Sequence, residues 1–380
     1  MQMIVTSQLP TDNRNNAFLG ERLQLIREFC GYTQKEMATL LGTSNVAISE
    51  YENGRRQPPA KIVARAAFET GFFPSFFSDQ IGKPFSETEC SFRHRRTTSQ
   101  KLKNQVRAQA SLLGIIVTAL REIFRFPNLS LPSIRASTDD DVEKAAMQCR
   151  SFWQLDQKAP LKQIGRALER AGVIIIASSV ETNKIDAFSH LGTNPIVFLN
   201  RGAGTSPSRW NFDLAHELGH LVLHQGQITG SIESEAAADK FASAFLLPRD
   251  GFAAEFGYKP FSWSFVFELK QRWMVSAAAI VRRGRDLGLI NEAIYRRSFQ
   301  YMSAKRWRQL GEPYEPVFQE PELFTDSIKS LRSNGGEDLD NLCKSLGFTT
   351  AVFTRITGEQ TQLSSSSRLL AFPEVCQVNE

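Results

Sequence analysis

Ala215-His216-Glu217-Leu218-Gly219-His220 is the stretch on which the reading of this chain turns. Two histidines four residues apart fall on one helix face about a turn from each other, so both imidazoles can reach a single ion. Glu217 sits beside the first of them, placed to take a proton from a water held at that ion. The flanks Leu214-Ala215 and Leu221-Val222-Leu223 are apolar. A buried helix is therefore expected, and two histidines on it need a chemical reason.

A hydrolytic zinc site takes three protein ligands and keeps a fourth position open. Downstream, Glu233-Ser234-Glu235-Ala236-Ala237-Ala238-Asp239 sets Glu235 and Asp239 one turn apart on an otherwise apolar helix continued by Phe241 and Ala242. Glu235 reads as the third ligand, and Asp239 as the acceptor that orients a ligand histidine. Glu233 competes with Glu235 from another side of the helix. His224 competes as well, because it continues the spacing 216, 220, 224. Eight residues of straight helix rise roughly 12 Å, too far for His216 and His224 to share one ion at about 2 Å each. Hydrogen bonding or packing near the site is the expected role of His224. The chemistry implied is attack of water on a peptide carbonyl, with Zn2+ as cofactor and Glu217 as base. Tyr258 and Arg209 are candidates for stabilising the oxyanion. The plainer alternative is a zinc ion that only holds two helices together.

These residues, with "AHELGHLVLH" and then "ESEAAADKFASAFLLP" between Trp210 and Pro248, resemble the ImmA/IrrE-type metallopeptidases. The preceding "ALERAGVIII" and "PIVFLN" are similar to that family's strands, and "LKQRWMVSAAAIVRRGRDLGLI" to its helical continuation. The resemblance covers about residues 90–360. It implies a zincin-like domain with zinc on His216, His220 and Glu235, catalysis by Glu217, and repressor-type protein substrates.

Nearer the N-terminus, Thr33-Gln34-Lys35-Glu36-Met37-Ala38-Thr39-Leu40-Leu41-Gly42 reads as a capped helix ended by a glycine turn. Ser44–Glu52 reads as a second short helix. Two helices joined so tightly have the geometry in which the second lies in a major groove. Met37, Ala38, Leu41, Val46 or Ile48, and Tyr51 are the expected buried positions. "YTQKEMATLLGTSNVAISEYENGRRQPP" resembles the lambda-repressor/Cro-like helix-turn-helix modules called XRE, over residues 18–75. That resemblance implies Asn45, Val46 and Glu50 at base edges of a double-stranded operator and Gln34, Ser44 and Asn53 at phosphates, with Arg55 and Arg56 adding backbone charge. Homodimers on paired half-sites are the usual mode of such modules.

Around these two motifs the chain is ordinary globular sequence. It has 380 residues, 42% of them hydrophobic and 22% charged, with net charge +5 and an isoelectric point near 8.9. That length suggests two or three domains, and the mild basic bias permits nucleic-acid binding without demanding it. From Arg93 to Arg107 the chain carries Arg93, Arg95, Arg96, Lys101, Lys103 and Arg107 with no acid between them, either a solvated helix face or a phosphate-contacting surface. Cys30, Cys90, Cys149, Cys343 and Cys376 are scattered, odd in number and without a CxxC pair, which argues against a disulfide framework. The start, Met1-Gln2-Met3-Ile4-Val5-Thr6, lacks the charged n-region and apolar core of a signal peptide. Apolar runs such as Val173–Ile176 are too short to span a bilayer. A reducing, cytoplasmic setting with no membrane association is expected.

The expected organisation is mainly α with a small β-sheet, an α+β chain. It runs as a flexible N-terminus over 1–17, a five-helix helix-turn-helix domain over 18–80, and a basic connector with helices over 81–155. A metallopeptidase core over 156–262, a helical C-terminal region over 263–360 and a tail over 361–380 follow. Helices are expected at 111–127, 140–155, Leu161–Ala171 and 234–247, and strands at Val173–Ile176, Phe188–His190 and Pro195–Leu199. "DLDNLCKSLGFTTAVFTRITG" resembles a partial helix-turn-helix. The functional expectation is a DNA-binding transcriptional regulator with a zinc-dependent endopeptidase domain, cleaving a repressor or partner in a stress, prophage or toxin–antitoxin response. The alternative is a DNA-binding regulator whose zinc domain senses or dimerises without proteolysis.

Overall fold

The computed structural model of the chain describes residues 17–78, 90–93, 99–178, 187–190, 194–200, 206–227 and 229–358. The lead-in and the tail expected at the two ends thus fall almost wholly outside the described residues, as do Arg95 and Arg96 of the basic run.

Four helices, α1 (Gly20–Phe29), α2 (Gln34–Leu41), α3 (Asn45–Glu52) and α4 (Ala60–Thr70), and a 3-10 turn over Pro74–Phe77 make up the N-terminal unit. Local chemistry dictates the central pair. The Thr33 hydroxyl accepts from the Glu36 backbone N–H, and the Glu36 carboxylate accepts from the Thr33 N–H, a reciprocal cap. Gly42, at φ +67, takes the left-handed conformation that ends α2 and aims α3 across it. Met37, Leu41, Ile48 and Tyr51 are buried, while Val46 stays 66% exposed. Of the two alternatives for that core position, Ile48 fills it.

Next come β1 (Cys90–Arg93), α5 (Gln100–Ile123), α6 (Asp139–Phe152), α7 (Ile164–Arg170), β2 (Ile174–Ser178), β3 (Ala187–His190), β4 (Ile196–Asn200) and α8 (Pro207–Leu223). Helix α5 begins eleven residues before the expected helix, inside the basic run. Its Lys101 pairs with Glu36 at 3.3 Å and its Arg107 with Glu28 at 3.3 Å. Part of the run is thus neutralised by acids of the N-terminal unit. Strand β1 lies outside the expected strands, although Cys90, Ser91, Phe92 and Arg93 alternate apolar and polar over four residues.

The rest of the described chain is helical. It comprises α9 (Ile232–Leu246), α10 (Arg249–Phe256), α11 (Trp263–Trp273), α12 (Ala277–Asp286), α13 (Glu292–Ala304), α14 (Trp307–Leu310), α15 (Leu323–Arg332), α16 (Glu337–Ser345) and α17 (Thr350–Thr357). Among the described residues no helix is long and apolar enough to cross a membrane.

The four described strands form one sheet in the order β1-β3-β4-β2. Strands β2 and β4 run parallel, with Ile174 opposite Ile196 and Ile176 opposite Phe198, while β3 is antiparallel to both β1 and β4. Successive side chains of a strand point to opposite faces, and here both faces are apolar. Ile174, Ile176, Ile196 and Phe198 enter one core with α5, the N-terminal unit and α15 to α17. Val173, Ile175, Val197 and Leu199 enter a second core with α6 to α12.

The packing therefore groups the chain differently from boundaries at 155 and 262. Helix α6 packs along α9, and α11 and α12 complete the second core. Helices α15 to α17 instead return to the N-terminal unit. The Phe73 N–H donates to the Gly347 carbonyl at 2.7 Å and the Thr349 N–H to the Gly71 carbonyl at 3.2 Å. Phe72 meets Phe348 edge-on at 5.9 Å. In helix α17, Val352, Phe353 and Ile356 are buried in this junction. Boundaries drawn along the sequence miss the grouping because the contacts join residues more than 270 positions apart.

Phe353 is fully buried at the junction, and truncating a buried Phe to Ala costs about 3–5 kcal/mol. Phe353→Ala is expected to destabilise the chain and to speed amide hydrogen exchange in α1 and the Pro74–Phe77 turn. Unchanged exchange there in the variant would show that the N-terminal unit is stable without α17.

Candidate metal centre

Helix α8 is started by Ser206, whose hydroxyl accepts from the Arg209 N–H, with Pro207 in its first turn. The Ser208 N–H donates to Glu315 at 3.1 Å. Glu315 also receives the fully buried Lys270 ammonium at 2.5 Å, and Glu312 receives the same ammonium at 2.8 Å and the Ala277 N–H at 2.7 Å. Two glutamates of one segment thus cap α8 and α12 while balancing a buried cation. Nothing in the sequence marked Glu312 or Glu315 for this work, because Ser208 lies 107 residues from Glu315.

Helix α9, capped by Ser231, approaches α8 closely at Gly219. A Cβ there would lie 3.2 Å from the Ala238 Cα and 3.3 Å from both the Ala238 carbonyl oxygen and the Phe241 Cβ. The missing side chain lets α9 bring Glu235 over the two histidines.

His216, Glu217 and His220 are all buried. The Nε2 atoms of His216 and His220 face each other at 3.1 Å. Glu235 meets both, Oε2 at 3.4 Å from His216 Nε2 and Oε1 at 3.4 Å from His220 Nε2. Ligand atoms from the three residues lie within 4.8 Å of one another. Two imidazoles and a carboxylate converging in this way fit a divalent zinc-type ion. The far side of each imidazole is also engaged. Asp239 Oδ1 is 2.8 Å from His216 Nδ1, and His224 Nδ1 is 3.0 Å from His220 Nδ1. Burial pushes the Glu235 carboxyl upward, but hydrogen bonds and charge from His216 and His220 outweigh it and hold the group well below the usual range. Burial, with His220 alongside, pushes His224 down to about 4.

Glu217 stands apart from these pairings. Both its carboxylate oxygens are buried and have no hydrogen-bond partner among the described residues. The remaining candidates lie elsewhere. Glu233 is exposed near the start of α9, Tyr258 is 83% exposed, and Arg209 pairs with Asp213 at 3.6 Å.

On the N-terminal unit, Asn45, Val46 and Arg55 are exposed. Ser44 caps α3 through the Ala47 N–H at 3.1 Å, and Asn53 donates to the Ser49 carbonyl at 2.8 Å. Glu50 pairs with Arg56 at 3.6 Å. Gln34 donates to Glu52 at 2.9 Å, and Glu52 accepts two bonds from Arg27 at 2.5 and 3.0 Å. This buried Arg27–Glu52–Gln34 network braces α3 against α1. Local spacing does not reveal this network, because Arg27 and Glu52 lie 25 positions apart and Gln34 and Glu52 lie 18 apart.

Residues 168–284 match the family described as the IrrE N-terminal-like domain, and residues 19–67 match a family of helix-turn-helix domains. The chain therefore carries an XRE-like helix-turn-helix ahead of a metallopeptidase-related domain, a combination that supports a DNA-binding regulator. No curated protein matches the sequence. Among solved structures, a Mycobacterium tuberculosis transcriptional regulator is matched at 17% identity and a TM-score of 0.28, over 38% of this chain and 46% of that one. The chain thus spans less than half the length of that regulator, and a likeness this low carries no argument about either domain.

Because Gly219 sets the distance between α8 and α9, bulk there should open the metal cluster without removing a ligand. Overpacking costs typically 1–3 kcal/mol. Gly219→Val is expected to weaken zinc binding roughly tenfold or more, read by competition with a chromogenic chelator. Native affinity in a folded variant would contradict the spacing argument.

Proposed function

We propose that this chain is a cytoplasmic DNA-binding transcriptional regulator whose second domain is a zinc-dependent endopeptidase. It would cleave a repressor or partner protein in a stress, prophage or toxin–antitoxin response. The observation that carries the reading is Glu217, a buried carboxylate without a hydrogen-bond partner among the described residues, next to three convergent ligand groups. An uncompensated buried acid works against folding, and such exceptions to packing rules concentrate at working sites.

His216, His220 and Glu235 would hold the ion, with Asp239 keeping the His216 ring oriented. When bound, zinc supplies Lewis acidity that eases deprotonation of water and polarises a carbonyl. Glu217 would take the proton of the attacking water and return it to the departing amine, as a general base and then a general acid. The helix-turn-helix would place the protein, as a homodimer, on paired half-sites of a double-stranded operator. Asn45, Val46 and Glu50 would face base edges, and Gln34, Ser44, Asn53 and Arg55 would face phosphates.

A second reading is favoured by the shared sheet, whose two faces belong to the DNA-binding core and the metal-site core. In that reading the metal domain is a sensor or dimerisation element that biases DNA binding without turnover.

Glu217→Gln separates the two. It is expected to keep stoichiometric zinc while lowering cleavage of a co-encoded repressor-type protein, or of the chain itself, by roughly 10²–10⁴-fold, the usual scale for a general base. If native chain and variant bind zinc and DNA alike and neither cleaves any candidate, the sensor reading replaces the peptidase reading. For the DNA face, Asn45→Ala is expected to weaken operator binding by about 1–3 kcal/mol while leaving non-specific binding unchanged. Equal losses on both DNAs, measured by fluorescence anisotropy at fixed salt, would remove Asn45 from base recognition.

A further inference from the structure

We propose that His224 is a positioning residue for metal binding, holding His220 in the one tautomer that leaves Nε2 free for an ion. The inference rests on the metal-site reading above and deepens it. His220 Nε2 faces His216 Nε2 at 3.1 Å and Glu235 Oε1 at 3.4 Å, so this nitrogen must offer a lone pair to bind metal. A neutral imidazole with Nε2 bare carries its proton on Nδ1. That proton points at His224 Nδ1, 3.0 Å away. Two neutral rings in such contact share a single proton, so His224 must accept through a bare Nδ1 and carry its own proton on Nε2.

The backbone helps His224 do this. It is the C-cap of α8, at φ −117 and ψ 28, and its N–H donates to the His220 carbonyl. The side chain folds over the preceding turn, with ring centroids 5.2 Å apart and planes inclined by 47°. The two ligand histidines are therefore oriented by different chemistry. With the proposed tautomers, His216 faces a carboxylate, Asp239, at 2.8 Å, and His220 faces an imidazole, His224, at 3.0 Å. Partners of this kind fix ring orientation and ligand strength, and losing one lowers metal affinity by roughly 10–100-fold.

The test compares the native chain with His224→Asn, which keeps an acceptor near the Nδ1 position, and His224→Phe, which fills the space without one. Metal-free protein labelled with 15N at histidine reports the His220 tautomer by NMR, and zinc competition with the cobalt(II) absorption spectrum reports the loaded site. The expected result is an Nδ1–H tautomer of His220 in the native chain and in His224→Asn, with near-native zinc affinity in both. In His224→Phe the Nε2–H tautomer appears, the cobalt spectrum changes, and zinc affinity falls roughly 10–100-fold. Equal affinity in all three chains overturns the proposal, as does an equal loss in Asn and Phe variants, which would make the role one of packing. A native chain that binds no zinc brings down the metal-site reading and the inference with it, a result distinguishable because it precedes any substitution. Thermal melts of each variant separate loss of metal from loss of fold.

Discussion

Everything in this molecule hangs on a pair of parallel strands that are apolar on both faces. Side chains alternate along β2 and β4, and each alternation delivers residues to a different core: Ile174, Ile176, Ile196 and Phe198 to the side of α5 and the N-terminal helices, Ile175, Val197 and Leu199, with Val173 just before β2, to the side of the helix that carries His216 and His220. A sheet buried on both faces has no solvent side to absorb an error, and a slip of one residue would exchange the two sets. Helix α5 adds a second tie. Arg107 binds Glu28 of the N-terminal unit, while five residues before the helix ends Thr118 accepts from Asn194 at 2.9 Å, just ahead of β4. Contacts thus run from the sheet through α5 to α1, and from α1 through Arg27 and Glu52 to α3.

Polar groups are buried where they have work to do. Lys270 is balanced by Glu312 and Glu315, and those carboxylates also satisfy the N–H groups at the starts of α8 and α12. Arg283 is held by both oxygens of Glu143, at 2.9 and 2.5 Å, and by the Leu247 carbonyl at 2.9 Å. Removing one partner of such a pair would leave an uncompensated buried charge, a strongly destabilising change. Against that background the unpartnered Glu217 is the exception among the buried acids that surround the second core.

The two motifs were legible because their geometry is local. A capping box, a glycine turn and histidines at i and i+4 are set by residues within a few positions: Thr33 caps α2, Gly42 ends it, and His216 and His220 lie a turn apart on α8. Glu235 and Asp239 were also legible, since an acid on an alanine-rich helix must face something polar. The grouping of segments into cores was not. Residues 263–304 and 323–357 are equally helical and equally amphipathic, yet they join opposite sides of the sheet. Choosing between sides depends on shape against partners that lie hundreds of residues away, which periodicity does not encode. The start of α5 was hidden for another reason: its apolar positions Leu102 and Val106 are spaced among lysines and arginines whose charges are met by Glu28 and Glu36 on α1 and α2.

The return of α15 to α17 onto the N-terminal unit has a consequence for how the chain comes into being. During synthesis, at about 5–20 residues per second, residues 20–77 leave the ribosome well before their partners Phe348, Val352 and Phe353, which share their core. The helix-turn-helix unit is thus completed only after the segment with the second core has been translated. A nascent or prematurely terminated product would hold an unfinished hydrophobic surface against Phe72 and Phe76, a target for chaperones and proteases.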